Sequence, residues 1–474
     1  MYDVIIVGAG VIGATIARNL SKYDLRVLVL EKNSDVGDET SGANSAIVHA
    51  GYDPHPGTLK AEMNYPGHLM FTQLCEELDV ELQRIGSLTI STSEEESGEL
   101  RKLYDFGMQN GCDVRIIGQA ELRELEPFIT KKAIEALWAP TAGIINPFEL
   151  VIALMENAMD NGVELHLEEK VTGIRKTDGG FNVATEKGEY AARVVVNCAG
   201  VASAEINNMV SDHKETIRPR KGEYYVLDHF PGPYVTHTLF SVPSSKGKGV
   251  LISPTTHGNY LIGPSSEFTD SAEDKGTDAP TLKKIVEQAY RLVEEIPMQY
   301  VIREFSGLRA YHDSGDFVIN SPVPGFINML GIQSPGLASS PAIGLKAVEM
   351  VRECLPLVEK PGWNPRRRPL YRVNNLSLEE RKALIAKDPN FGQMVCRCEQ
   401  VTKGEVIDCI RRNCGARSIR GVKKRVRPGF GKCQGGFCEP LIMQILSDEL
   451  GLDKNRINYS NRGSFILMEK TKGE

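Results

Sequence analysis

Short apolar runs alternate with glycine-rich turns and helical segments along much of the chain. The first run, "DVIIV", is followed by a helical pattern and then by a second apolar run, "LRVLVLE". Later runs at 193–200 and 325–330 have the continuous apolar character of buried parallel strands, and the second leads into a long helix that we predict to start near Ser339. This order predicts an α/β fold with a Rossmann-like parallel sheet.

Four segments between these runs have a different pattern, with alternating or β-branched residues interrupted by glycine. Such a pattern is typical of antiparallel strands. We therefore predict a second domain with an antiparallel or mixed sheet that forms a lid over the ligand of the first domain. The segments are 84–92, 221–228, 249–265 and 301–319.

Length and composition indicate a multidomain globular protein. The 474 residues predict two or three domains, and 41% hydrophobic and 25% charged residues are ordinary globular values. No apolar stretch is long enough for a membrane span, and the start of the chain lacks the pattern of a signal peptide, so we expect a cytoplasmic protein. The net charge of -7 argues against a nucleic-acid-binding protein.

The turn after the first strand carries a nucleotide-binding pattern. Gly8, Gly10 and Gly13 have G-x-G-x-x-G spacing, and Glu31 ends the second strand 23 residues after Gly8. The glycines permit a tight turn, a close approach to a pyrophosphate and close packing of helix on strand, while the carboxylate accepts hydrogen bonds from a ribose. The pattern predicts a dinucleotide site, but it does not distinguish NAD from FAD.

The end of the chain contains two close cysteine pairs. Cys396 and Cys398 are one residue apart, and Cys433 and Cys438 follow after 34 intervening residues. Four thiolates in two pairs suit a [2Fe-2S] cluster, whereas structural zinc usually uses C-x-x-C pairs. Zinc and an unmetallated domain stay open as alternatives. The other six cysteines are interpreted as reduced thiols, with Cys409 and Cys414 close to a helix between the pairs.

Residues 411–432 contain nine basic residues and no acid. The run contains only one aromatic residue, Phe430, and lies inside the cysteine frame, so we interpret it as compensation of an anionic cluster rather than a nucleic-acid site. A docking surface for an acidic redox partner is compatible with this interpretation.

Taken together, these motifs resemble FAD-dependent oxidoreductases of the D-amino-acid oxidase and glycerol-3-phosphate dehydrogenase superfamily over about residues 1–360. The resemblance implies FAD as the cofactor. The C-terminal segment, about 393–447, resembles the bacterioferritin-associated-ferredoxin-like [2Fe-2S] domain, whose four ligand positions match the two cysteine pairs. The resemblance to the flavoproteins is carried by the glycine triplet, Glu31, Ser41, Asn44, Ser45, the Asn197 to Gly200 segment and the Gly331 to Leu337 turn, which includes Gly336.

The resemblance also implies a division of the chain into domains. The FAD-binding domain is expected to be discontinuous, and prolines, arginines and asparagines mark a linker before the cluster domain. The expected boundaries are 1–82, 141–215 and 326–362 for the FAD-binding domain, 83–140 and 216–325 for the substrate domain, 363–392 for the linker, 393–447 for the [2Fe-2S] domain and 448–474 for a loosely packed tail.

Three residues are candidates for the chemistry on the substrate. Arg309 is the expected cation, because the family places an arginine on the corresponding strand and arginine binds anions in bidentate fashion. Lys221 is expected beside it. His49 follows the flavin loop and is the preferred base, with His257 and His312 as competitors.

The resemblance implies that the chain is an FAD-dependent dehydrogenase that oxidises sn-glycerol 3-phosphate to dihydroxyacetone phosphate. Hydride would pass to flavin N5, and electrons would leave through the [2Fe-2S] cluster to a redox partner protein or another acceptor. Two alternatives are kept: an L-2-hydroxyglutarate or other 2-hydroxy acid dehydrogenase or oxidase, and an electron-transfer or assembly flavoprotein subunit. Oxygen, a quinone reached through a membrane-bound partner, and a soluble carrier all stay open as final acceptors.

Overall fold

The computed structural model describes residues 1–243 and 249–469. Two large sheets lie in the first three quarters of the chain, and a small helical domain follows them. Within the described ranges, no helix is both long and apolar enough to cross a bilayer.

The first sheet has the strand Tyr2–Val7 near its centre. This strand runs parallel to Val27–Leu30 on one side and to Glu189–Asn197 on the other, and Phe326–Leu330 also pairs in parallel with Glu189–Asn197. Val4 to Val7 are buried, as expected for a parallel strand that is covered on both faces. This arrangement confirms the predicted Rossmann-like α/β fold. The remaining strands of the sheet are Glu164–His166, Val171–Thr177, Gly180–Thr185 and Val318–Val323.

Helices cover both faces of this sheet. Ile16 and Ile343 share one apolar cluster with Val4 and Ile6, whereas Ile206 lies in a second cluster on the opposite face. The helices on the first face are Val11–Leu20, Leu59–Leu78, Pro147–Asp160 and Gly336–Cys354, and Ser203–Val210 lies on the other.

The helix Gly336–Cys354 begins earlier than the sequence predicts. It starts at Gly336 rather than near Ser339. Ser339 does not cap the helix, because its hydroxyl donates to the Pro335 carbonyl inside the first turn (3.1 Å). The helix N-terminus therefore lies at Gly336, which borders the central cavity described below.

The second sheet is mixed and forms the lid that the sequence predicts. Its longest pairing is between Ile217–Leu227 and Val301–His312, which run antiparallel. Thr238–Ser241 and Ser87–Ser91 pair in parallel and make the sheet mixed. The other strands of this sheet are Leu251–Pro254, Tyr260–Gly263, Glu267–Phe268, Glu135–Ala139 and Arg115–Gly118. The helices that pack beside it are Glu94–Gln109, Gln119–Leu125 and Ala279–Ala289. A small third sheet consists of Ile47–Val48, Leu82–Gln83 and Gly143–Ile145.

The segment 301–319 divides between the two large sheets. Val301–His312 belongs to the lid, but Val318–Val323 forms a hairpin with Phe326–Leu330 in the first sheet. The tight turn between Val323 and Phe326 keeps these two strands adjacent. The first sheet therefore includes residues that the sequence interpretation placed in the lid.

The C-terminal domain has its own small core. Val406, Ile410, Val422, Ile442 and Leu446 are buried together. Its elements are Met394–Cys396, Val401–Thr402, Lys403–Arg411, Ile419–Val426 and Glu439–Leu450.

The segments before and after this core are more ordered than the sequence predicts. In the predicted linker, Ser377 and Glu380 form a capping box at the start of the helix Leu378–Lys387. In the predicted tail, Ile457 is buried in the domain core because the chain folds back, with Asn458 accepting a backbone hydrogen bond from Ile419. These residues are thus part of the folded domain.

Buried ion pairs join the C-terminal domain to the first domain. Arg425 binds Asp35 with two hydrogen bonds of 2.7 and 2.9 Å, and Lys424 lies 2.9 Å from both Asp35 and Asp38. Burial by itself would raise the pKa of Asp35, but Arg425 and Lys424 outweigh it and hold this pKa below its usual value. Part of the basic run therefore docks the two domains, a role that its interpretation as charge compensation did not include.

Replacing Arg425 with methionine is expected to loosen this docking. Removing one partner of a buried pair typically costs about 3–5 kcal/mol, because the remaining carboxylate loses its compensation. Native-state hydrogen exchange should show a lower free energy of opening for the helix Ile419–Val426. Arg368→Met is the control, since Arg368 forms an exposed pair with Asp408 that should be worth less than about 1 kcal/mol. An equal free energy of opening in Arg425→Met and Arg368→Met would contradict the assignment of the Arg425–Asp35 pair as a docking contact.

Candidate functional site

A cavity of about 1470 Å³ lies between the two large sheets. Apolar and polar side chains from both sheets line it, so one ligand in it would contact both domains. Nine of the ten residues predicted to bind the cofactor line this cavity. They are Gly8, Gly10, Glu31, Ser41, Asn44, Ser45, Gly200, Gly336 and Leu337.

The glycine triplet has the geometry that its spacing predicts. Gly8 has a φ of +104°, and a Cβ there would lie 2.6 Å from the Cys198 carbonyl oxygen. A Cβ on Gly13 would lie 2.0 Å from the Gly8 carbonyl oxygen, so this glycine permits the helix to pack on the turn rather than lining the cavity. The turn thus holds the helix N-terminus close to the cavity.

Glu31 lies at the end of the second strand and borders the same cavity. Its two carboxylate oxygens accept hydrogen bonds from the backbone N–H groups of Ala9 (2.8 Å) and Asn33 (2.9 Å). Burial raises the pKa of Glu31, and these two N–H groups oppose that effect. The backbone contacts fix the carboxylate in place, and each oxygen keeps a lone pair for a ribose hydroxyl.

The loop around residues 40–46 connects the helix N-terminus to the lid. Ser41 accepts a hydrogen bond from the Val11 N–H group (2.9 Å), and Asn44 fixes the loop through Ala46 N–H (2.7 Å) and the Ser41 carbonyl (2.8 Å). The Ser45 hydroxyl is 3.0 Å from the Tyr224 hydroxyl on the second sheet. Together with the glycine cradle and the volume of the cavity, this loop fits a dinucleotide that extends from Glu31 towards the lid.

Two arginines from neighbouring strands face the cavity on the lid side. Arg220 and Arg309 are directly opposite in the antiparallel register, and both line the cavity. Gly222 lies next to them, where a Cβ would come within 2.5 Å of the Arg309 guanidinium. Burial, and then the charge of Arg309, lower the pKa of Arg220. Two adjacent guanidinium groups present several N–H donors and two positive charges, which suits the binding of an anion.

The prediction that Lys221 lies beside Arg309 at the substrate is wrong, because the Lys221 side chain points to the other face of the strand. Its ammonium group lies 2.9 Å from Asp274 and 3.5 Å from Glu223. Successive side chains of a strand alternate between faces, so the neighbouring Arg220 faces the cavity and Lys221 does not. Arg220 is the residue that the sequence analysis missed.

The three candidate histidines have different environments. His49 lines the cavity and stacks on Phe240 with ring centroids 5.7 Å apart. His312 is bound to Glu215 (2.9 Å) and Ser314 (2.8 Å), and burial lowers the pKa of His257 to about 3. Among the described residues, His49 is the histidine that lines the cavity.

Replacing Gly13 with alanine is expected to weaken FAD binding. The added methyl group would overlap the Gly8 carbonyl, and overpacking of this kind costs about 1–3 kcal/mol, which corresponds to about 5- to 150-fold in affinity. Titration of the apoprotein with FAD, followed by flavin fluorescence, measures the effect. Gly98→Ala is the control, because no atom lies within 4 Å of the new Cβ in the helix Glu94–Gln109. Affinity equal to that of the unmodified protein in Gly13→Ala would contradict the cradle assignment.

The four clustered cysteines meet in two pairs in the C-terminal domain. The sulfur atoms of Cys398 and Cys433 are 3.5 Å apart, and the Cys396 and Cys438 thiols are hydrogen-bonded to each other. The Cys438 thiol, followed by backbone N–H groups of the surrounding loops, lowers the pKa of Cys396 to about 6 despite its burial. Thiolate-stabilising N–H groups around paired sulfurs fit an iron–sulfur cluster.

Two close pairs of sulfurs suit a [2Fe-2S] cluster, in which two protein ligands bind each iron. A tetrahedral zinc site brings all four ligands around one ion, with Zn–S distances of about 2.3 Å. In the part of the chain that the structure describes, no group of three or more His, Cys, Asp or Glu side chains could hold one ion. Cys409 and Cys414 are buried separately, and burial raises their thiol pKa values to about 12 and about 11, so they stay protonated.

Comparison with known proteins agrees with this geometry. A family model described as "FAD dependent oxidoreductase" matches residues 3–350, and one described as "BFD-like [2Fe-2S] binding domain" matches residues 394–448. The glycerol 3-phosphate dehydrogenase of Caloramator mitchellensis is 47% identical over 100% of both chains. The L-2-hydroxyglutarate dehydrogenase of Escherichia coli K12 is 28% identical, over 56% of this chain and 64% of its own length.

A solved structure extends the likeness to the fold. The dithionite-reduced L-alpha-glycerophosphate oxidase of Mycoplasma pneumoniae, with FAD bound, superimposes with a TM-score of 0.75 at 28% identity. It covers 78% of this chain and 99% of its own chain. The predicted cofactors, FAD and a [2Fe-2S] cluster, are confirmed by these matches. The chain belongs to the family of FAD-dependent oxidoreductases, is of the glycerol-3-phosphate dehydrogenase type, and carries a C-terminal [2Fe-2S] domain.

Proposed function

We propose that this protein oxidises sn-glycerol 3-phosphate to dihydroxyacetone phosphate. The observation that carries the proposal is the pair Arg220 and Arg309, which face the cavity from opposite positions on adjacent strands. Two guanidinium groups complement a phosphate dianion through several charge-assisted hydrogen bonds. The 47% identity to a glycerol 3-phosphate dehydrogenase over the full length supports the same substrate.

The residues of the cavity have separate roles in this proposal. Arg309 and Arg220 hold the phosphate, and the lid strands that carry them enclose the substrate against water. His49 accepts the proton of the alcohol hydroxyl, since a neutral imidazole is a suitable base near pH 7. FAD, when bound, supplies the acceptor for the hydride of the substrate carbon.

A chain of packing contacts links the cluster domain to the loop around residues 40–46. Phe148 packs beside Gly42 of that loop, where a Cβ would be 3.1 Å from the Phe148 ring. The Phe148 ring in turn contacts the ring of Phe430, with centroids 5.9 Å apart. Phe430 precedes Gly431, which packs against Cys398. We therefore propose that electrons pass from the flavin site to the cluster within one chain.

We also propose a cytoplasmic location. All ten cysteines are free in the structure, and four of them are the proposed cluster ligands. Reduced thiols persist in a reducing compartment, where disulfides rarely form.

A panel of substrates tests the proposal against its main alternative. The kcat/KM values for glycerol 3-phosphate, L-2-hydroxyglutarate and unphosphorylated glycerol should be measured with the same artificial electron acceptor. We expect glycerol 3-phosphate to exceed the other two by at least about 100-fold, because the arginine pair favours a dianionic phosphate. A higher value for L-2-hydroxyglutarate would instead assign the protein to 2-hydroxy acid oxidation.

A further inference from the structure

The cluster domain exposes an apolar surface beside its cysteines. Phe437, directly before Cys438, is 83% exposed, and Met394 and Leu441 are each 49% exposed. All three are within three residues of a buried cysteine of the cluster site, and we refer to Met394, Phe437 and Leu441 as the cluster-edge patch. An aromatic side chain this exposed, grouped with other apolar side chains, is typical of a surface that another molecule covers.

Residues next to the other two cysteines carry positive charge. Arg397 and Lys432 are exposed next to Cys398 and Cys433. Neither cation forms an ion pair with a carboxylate within residues 1–243 and 249–469. The chain as a whole carries a net charge of -7, which is opposite in sign to these two side chains.

The neighbouring acids do not cancel this charge. Glu399 binds Arg427 at 2.8 Å, and Glu439 is partly buried with its carboxylate against Gly435. Exposed apolar side chains and cations without an ion-pair partner thus both flank the cluster cysteines in the sequence, and we refer to Arg397 and Lys432 as the rim. This combination suits an interface with an acidic protein partner.

We propose that the cluster-edge patch is the docking surface for an acidic protein that carries one electron at a time. The proposal rests on the proposed function, in which electrons reach the cluster. Oxidation of one glycerol 3-phosphate releases two electrons and two protons, so two partner molecules are each reduced by one electron. Cys398 is the exposed cysteine of the four, which places the docked partner next to the cluster.

The test uses the holoenzyme, reduced with dithionite and freed of excess reductant, so that its result does not depend on the substrate. The acidic probe is the soluble domain of cytochrome b5, and the basic comparison probe is cytochrome c. Stopped-flow absorbance gives the rate of haem reduction, isothermal titration calorimetry gives the affinity for oxidised cytochrome b5, and ferricyanide reports on transfer without docking.

Reversing the rim charges with Arg397→Glu and Lys432→Glu together is expected to slow cytochrome b5 reduction by at least about tenfold and to weaken binding in parallel. Phe437→Ser should weaken binding by about tenfold, while ferricyanide reduction is unchanged in all variants. The matched control is Arg175→Glu with Lys176→Glu, which makes the same change in net charge on an exposed strand of the first sheet.

Two results would overturn the proposal. Equal effects of the rim and control substitutions would show that only net charge matters. A protein that self-associates in sedimentation, and becomes monomeric as Phe437→Ser, would show that a second copy of the chain covers the patch. A substrate panel that shows no oxidation of glycerol 3-phosphate would refute the proposed function. It would not affect the docking test, because dithionite rather than substrate supplies the electrons in that test.

Discussion

Replacing Arg309 with alanine is expected to lower kcat/KM for glycerol 3-phosphate by several hundredfold. Arg309 is held against the Ser265 carbonyl oxygen (3.3 and 3.4 Å) with its guanidinium facing the cavity. Losing a charge-assisted contact to the phosphate costs about 3–4 kcal/mol, which corresponds to that decrease in rate. Steady-state kinetics over a range of substrate concentrations measures it, and Arg220→Ala should produce a decrease of the same kind.

Lys221→Met is the matched control for this prediction. Lys221 is adjacent to Arg220 on the strand, but its ammonium group faces Asp274 on the other side of the sheet. We expect its kcat/KM to change by less than about threefold once protein stability is taken into account. A large effect of Lys221→Met with no effect of Arg309→Ala would contradict the structural assignment. Turnover that is unchanged in Arg309→Ala for every anionic alcohol would refute the assignment of Arg309, whereas the absence of turnover with every anionic alcohol in the unmodified protein would favour an electron-transfer or assembly role.

Replacing Cys433 with serine is expected to remove the cluster without preventing reduction of the flavin. Cys433 lies 3.5 Å from Cys398, and the pair would ligate one iron of the cluster. Iron and labile sulfide should fall to near zero, and turnover with a one-electron protein acceptor should fall by at least about 100-fold. Stopped-flow reduction of FAD by glycerol 3-phosphate should keep its rate, since the cavity lies outside the C-terminal domain.

The control for the cysteine prediction is Cys409→Ala. Cys409 is buried in the same domain, and burial raises the pKa of its thiol to about 12, so it is not expected to bind iron. The Cys409 thiol donates to the Val406 carbonyl within the domain core (3.2 Å), away from the two cysteine pairs, so this variant should keep its iron and sulfide. Loss of iron from Cys409→Ala but not from Cys433→Ser would contradict the ligand assignment.

The parts of the site that depend on local sequence could be predicted well. Gly8, Gly10 and Gly13 form one turn, so their spacing alone determines the cradle that the structure shows. The two cysteine pairs could likewise be identified from their spacing. In each case, the residues that act together are close in the sequence.

The parts that depend on strand register or on contacts between domains could not be predicted. Arg220 and Lys221 are adjacent cations, and only the pairing with Val301–His312 determines which of them faces the cavity. The partners of Lys424 and Arg425 are Asp35 and Asp38, nearly four hundred residues earlier in the chain. No local pattern identifies such a partner, so the sequence shows the charge of the basic run but not the residues that it binds.

The most direct test of the central claim is an anaerobic absorbance spectrum of the purified protein before and after addition of glycerol 3-phosphate. We expect loss of the oxidised flavin band together with partial bleaching of the broader iron–sulfur absorbance. This result would show substrate oxidation and electron transfer to the cluster within one chain. Flavin that stays oxidised with glycerol 3-phosphate, but is bleached by L-2-hydroxyglutarate, would contradict the proposed function.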